Sequence, residues 1–164
     1  MHKSAVEEKL VTARISLLLK KPFFGNMATR LILKEIPGMP TAATDGRHLY
    51  YNADFISKLD VKQTEFLICH EVLHVAFEHM LRRGDRDPQG WNVAADYAIN
   101  QIIIDENIGR APTGDMAPLY DPQYKGLSAE QIYDKLSDWE KQQKTLDVHI
   151  DLEKGEATIE GKDG

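Results

Sequence analysis

The 164-residue chain has the size of one domain, and at 42 % apolar residues it can bury a core. Its 26 acidic against 20 basic residues leave no basic stripe, which argues against a nucleic-acid partner, and a single cysteine, Cys69, allows no internal disulfide. No segment approaches the ~18 apolar residues of a membrane span, and Glu7 and Glu8 precede an apolar run too short for a signal peptide, so the expectation is a soluble, cytoplasmic protein with no membrane partner.

Val6, Leu10, Ala13 and Leu17 recur at helical spacing and predict an amphipathic helix over 4–20, stopped by Pro22. Phe23, Phe24 and Gly25 then open a loop. Residues 27–36 fit a short helix or a strand equally. Pro37-Gly38 and Pro40 break the chain, and Thr41–Asn52 (TAATDGRHLYYN) carries β-formers on both sides of Asp45-Gly46, a hairpin signal. Asp60 with Gln63 has the capping-box pattern and opens a long helix over 61–83, with Gly84 as its stop. A charged loop, Asp85–Gln89, leads to a helix over 91–107, ended by Gly109 and Pro112. Residues 110–126 read as an irregular loop. Ser128 and Gln131 repeat the capping-box pattern and open a helix over 129–143. Beyond it Val148, Ile150 and Leu152 alternate, then Ala157 and Ile159, with Lys154-Gly155 between them. That pattern suits a hairpin or an acidic linker. The division is a domain over 1–137 and an acidic C-terminal extension over 138–164, which holds eight acids and four lysines.

The chemistry sits in residues 69–79, CHEVLHVAFEH. His70 and His74, four apart on a helix, project from one face about 40° apart, so two imidazoles can share one tetrahedral metal. Glu71, about 100° around the axis from His70, suits a base acting on a water held at the metal. Chance produces H-E-x-x-H in such a chain well under ~1 % of the time. Leu67, Ile68, Val72, Leu73, Val75, Ala76 and Phe77 make the helix apolar nearly all round. Buried polar groups there need partners, which a metal supplies; hydrogen-bonded core histidines are the bland alternative.

A catalytic zinc takes a third protein ligand. His79 lies five residues after His74, about 140° away around a continuous helix, and Met80 holds the position that the H-E-x-x-H-x-x-G-x-x-H spacing gives to a third histidine. His79 therefore reads as a surface residue or as a support for the ligands. Asp96 is the better candidate: it sits among Val93, Ala94, Ala95, Ala98 and Ile99, where a carboxylate is costly unless paired or metal-bound. Asn92 and Asn100, at i−4 and i+4, are placed to orient it. An Asp–Asn cluster without metal is the alternative, and Asp85 and Asp87 are weaker candidates in a solvated loop. Cys69 reads as a small buried hydrophobe, Trp91 and Trp139 as packing anchors, and Phe23-Phe24 as core or pocket lining. His2, His48 and His149 have no ligand spacing.

HEVLHVAFEH, followed by WNVAADYAIN and preceded by TAATDGRHLYYN, resembles the predicted zincin-like metallopeptidase domain that is often joined to a von Willebrand factor A-like domain in bacteria and phages. The resemblance covers roughly residues 10–137. It implies an α+β fold in which the H-E-x-x-H helix and the following ligand helix pack on a small mixed sheet, and a gluzincin-like site with an acidic ligand, here Asp96 where glutamate is commoner. It also implies a peptide substrate lying along an edge strand, for which His48–Asn52 is the best strand. A von Willebrand factor A-like domain or a MoxR-type ATPase is the partner implied. The expected function is a zinc metalloendopeptidase (metal ligands His70, His74 and Asp96, general base Glu71). The alternatives are a non-catalytic zinc-binding assembly module working with an ATPase, and a metal hydrolase of another amide such as a cell-wall peptide.

Overall fold

The computed structural model describes residues 4–143, 145, 149–151 and 158–160. α1 (Ala5–Lys20) begins where the Ser4 side chain accepts from the Glu7 N–H at 3.1 Å, satisfying one of the amides that a helix start leaves open. The expected loop at Phe23-Phe24-Gly25 is instead a helix, α2 (Pro22–Arg30). Pro22 both closes one helix and opens the next, because a proline at the first helical position sacrifices no hydrogen bond. Gly25 lets the two helices touch: a Cβ there would stand 2.2 Å from the Leu18 Cα. Phe24 packs against the core, whereas Phe23 is 64 % exposed.

The ambiguous stretch 27–36 divides into the end of α2 and a strand, β1 (Ile32–Glu35). The hairpin follows as expected, β2 (Ala42–Thr44) and β3 (His48–Tyr51), with Asp45-Gly46 in its turn. The sheet order is β1-β3-β2, with β3 parallel to β1 and antiparallel to β2, so the sheet is small and mixed. β3 is therefore central. The expectation that His48–Asn52 offers an edge to a peptide is overturned, since ladder hydrogen bonds occupy both its sides. Parallel pairing with β1 is made by the tertiary fold and left no local signal in the sequence. Leu49 and Tyr51 face the core; on the other face the Tyr50 hydroxyl donates to Asp45 Oδ2 at 2.6 Å.

A short helix, α3 (Ala53–Ser57), leads to α4 (Val61–Ala76), which opens on the predicted capping box. Asp60 Oδ1 accepts from the Gln63 N–H at 2.8 Å, and Gln63 Oε1 accepts from the Asp60 N–H at 3.0 Å. Every residue from Thr64 to His74 is buried, so α4 is a core helix on all faces. It ends well before the expected residue 83. Glu78 turns left-handed at φ 54°, and a separate short helix, α5 (His79–Arg82), begins. The apolar coat stops there too, with Ala76 and Phe77 exposed.

α6 (Pro88–Asp105) starts on Asp87, whose side chain accepts from the Gly90 N–H at 2.7 Å. Gly109 then brings the chain hard against the start of α4, where a Cβ would stand 2.3 Å from the Lys62 carbonyl. Residues 110–126 are irregular, with short 3-10 turns at Gly114–Met116 and Pro122–Tyr124. α7 (Ala129–Lys135) begins on the second capping box and stops short of the expected residue 143. α6 is the shared wall of two apolar clusters. Ile99 and Ile103 join the main core with α1, α4 and the sheet, while Trp91, Val93 and Ala95 pack with Tyr124, Ile132 and Leu136. Trp91 is thus an anchor, but Trp139 is 74 % exposed and is not. β4 (His149–Asp151) and β5 (Thr158–Glu160) pair antiparallel. Their expected turn at Lys154-Gly155, with Val148, Leu152, Ala157 and His2, lies outside the described residues. Among the described residues no helix is long and apolar enough to cross a membrane.

Candidate metal centre

His70 and His74, one turn apart on α4, meet Asp96 of α6 at the contact between the two helices. The three side chains are buried, at 0 %, 3 % and 0 % exposure. His70 Nε2 lies 3.1 Å from His74 Nε2, and Asp96 Oδ1 lies 3.5 Å from the first and 3.1 Å from the second. A tetrahedral ion bound at about 2.0–2.1 Å sets its ligand atoms about 3.3 Å apart. The observed triangle has that size, and its donors, two imidazole nitrogens and one carboxylate oxygen, are a set that zinc accepts. These residues therefore fit a metal ion.

Protonation at His70 follows from the neighbouring amide. The Leu119 carbonyl can only accept, and Asn100 Nδ2 donates to it at 2.8 Å. That orients the amide and turns Asn100 Oδ1, an acceptor, toward His70 Nδ1 at 2.8 Å. His70 must then carry its proton on Nδ1, which leaves Nε2 with a lone pair inside the triangle. This is the usual way a protein prepares a histidine for metal. The sequence placed Asn100 near the site but assigned it to the Asp96 carboxylate; the bond found is to the imidazole. Asn92 is half-buried on the same helix.

His79 is not a surface residue. It is 3 % exposed, and its Nδ1 lies 3.2 Å from His74 Nδ1, on the opposite edge of that ring from the nitrogen that faces Asp96. The break at Glu78 folds it back there, where a continuous helix would have carried it away. Trp91 Nε1 donates to the His79 carbonyl at 2.8 Å. A cavity of about 380 Å³ lies beside it, lined by Phe77, His79, Ala98, Gln101, Ile102 and Tyr124 among others. No periodic signal marks this arrangement, because it depends on a left-handed residue that carries a side chain.

Glu71 is fully buried next to His70. Asp87 is occupied as the α6 cap and Asp85 is exposed; neither joins the cluster. Cys69 is buried and its thiol is pushed up to about 12 by that burial, consistent with an inert hydrophobe. His48 acts in the hairpin: Asp45 accepts from the His48 and Arg47 backbone N–H groups at 2.7 and 2.8 Å, and the His48 ring stands 3.0 Å away.

The model of the family described as "Putative metallopeptidase domain" matches residues 5–162. The chain belongs to that family. Over 106 residues it is also 30 % identical to an uncharacterized protein of Thermotoga maritima, an overlap of 59 % of this chain and 26 % of that protein. The chain thus spans about a quarter of that relative's length. No solved structure matches it. Membership in that family and the buried His–His–Asp cluster both point to a metal ion at the α4–α6 contact.

Proposed function

We propose that the protein is a zinc-dependent endopeptidase of zincin-like, gluzincin-type arrangement, with His70, His74 and Asp96 as ligands and Glu71 as general base. The observation that carries this is the triangle of candidate ligand atoms, which has the size of a zinc tetrahedron's face. When bound, zinc supplies Lewis acidity to a peptide carbonyl and to the attacking water. Glu71 takes the proton of that water as it adds to the carbonyl carbon, then delivers it to the departing amine. Asn100 holds the His70 ring so that its metal-facing nitrogen stays unprotonated. The reading carries with it a cytoplasmic site of action and a peptide or protein substrate. In a longer chain it would also have a von Willebrand factor A-like domain or a MoxR-type ATPase as partner. The catalytic unit is residues 1–137, with 138–164 as an acidic extension.

Burial favours a second reading. All three ligands are closed off from solvent, which suits a zinc-holding assembly module working with an ATPase, or a peptidase shut until a covering segment moves. Glu71→Gln separates these. It keeps the shape and removes the base, so a peptidase should keep its zinc and lose about 10²–10⁴-fold in turnover on a degenerate peptide library. Undiminished cleavage rejects the mechanism. Full zinc with no cleavage by the unsubstituted protein, across peptides and with the partner ATPase added, supports the assembly module.

A further inference from the structure

We propose that His79 is a positioning residue for His74: its Nδ1 accepts the hydrogen bond from His74 Nδ1–H and so keeps the His74 Nε2 lone pair on the metal. The inference rests on the ligand set above. A neutral imidazole carries one N–H. With Nε2 of His74 inside the ligand triangle, the proton sits on Nδ1, and the atom facing it is His79 Nδ1 at 3.2 Å. Both rings cannot offer a proton across that gap, so His79 carries its own on Nε2. His79 then does for His74 what Asn100 does for His70, and each histidine ligand has an acceptor behind it.

The fold holds His79 in this place from several sides. Glu78 adopts φ 54°, a left-handed conformation that side chains other than glycine rarely take, and this turns the chain so that residue 79 comes back over residue 74. The Trp91 indole N–H anchors the His79 carbonyl, and the Trp91 ring meets the imidazole edge-on at 5.9 Å between centroids. Phe77 stacks on the same ring at 5.7 Å. An aromatic ring without a nitrogen would pack in this slot equally well, so a packing role and an acceptor role predict different variants.

His79→Phe keeps the ring and removes the acceptor. His79→Asn puts an amide oxygen where Nδ1 stands. Zinc affinity measured by chelator competition should fall about 10–100-fold in His79→Phe and return to within a few-fold of the parent in His79→Asn. Nitrogen-15 NMR of the zinc-loaded parent should show His79 protonated on Nε2 and not on Nδ1. Unchanged affinity in His79→Phe, equal loss in both variants, or a proton on His79 Nδ1 overturns the proposal. Should His79→Phe fail to fold, the parent spectrum and His79→Asn still decide. A parent that binds no zinc would instead sink the ligand set on which the inference stands.

Discussion

Asp96 is a carboxylate closed off from solvent between α4 and α6. A carboxylate with 0 % exposure is tolerated only against positive charge or strong donors. Asp96→Ala should abolish stoichiometric zinc, read by elemental analysis after dialysis, because two imidazoles alone leave the ion with too few protein ligands. Asp45 gives a pH signature away from the centre. Burial alone would raise its carboxyl, but hydrogen bonds from Tyr50, the Arg47 and His48 amides and the His48 ring outweigh it and hold the group at about 2, against an ordinary 3.8. A folded value below the unfolded one means the stabilisation is complete above about pH 4 and is lost as pH falls through about 2. Denaturant melts should therefore show Asp45→Asn less stable than the parent by about 1–2 kcal/mol at pH 6. The gap should shrink toward zero near pH 2; a gap independent of pH contradicts the assignment.

Helices begin where local chemistry places them and end where tertiary contacts permit. Both capping boxes, at Asp60 and at Ser128, are present with the predicted bonds, because a side chain satisfying the third amide of its own helix needs no other part of the chain. Asp60→Ala should cost about 1 kcal/mol, read in thermal or denaturant unfolding. The far ends behave otherwise. Residues 77–83 retain helical composition, yet α4 breaks at Glu78 and α5 restarts in a new direction. Glu78→Gly should be tolerated, since glycine adopts positive φ without penalty. Glu78→Val should destabilise by about 1–2 kcal/mol and weaken zinc binding along with it, since a β-branched residue resists that conformation and His79 would move.

On the proposed ligand set, metal binding and folding are coupled. The proposed ligands come from α4 and α6, both of which contribute to the main core, and an ion held between them would tie one to the other. Zinc at a thousandfold excess over its Kd should add about 4 kcal/mol, roughly 10 °C in Tm for a chain of this size. Chelation should reverse it, and scanning calorimetry with and without a chelator measures both. Identical melting curves would mean that no ion bridges the helices.

The starts of α1, α4 and α7, the hairpin at Asp45-Gly46, the convergence of His70, His74 and Asp96 and the buried character of α4 were all readable from residue order. Each depends on periodicity, capping or the cost of burying charge, and these act over a few residues. The parallel partner of β3, the conversion of the Phe23-Phe24-Gly25 segment into a helix, and the swing of His79 onto His74 were not. The first is a pairing between strands with another strand between them in sequence. The second relies on Gly25 lying against Leu18, a contact that exists only once α1 and α2 are packed. The third turns on a left-handed Glu78, a conformation that glutamate does not prefer, with the next residue, His79, held by Trp91 and Phe77.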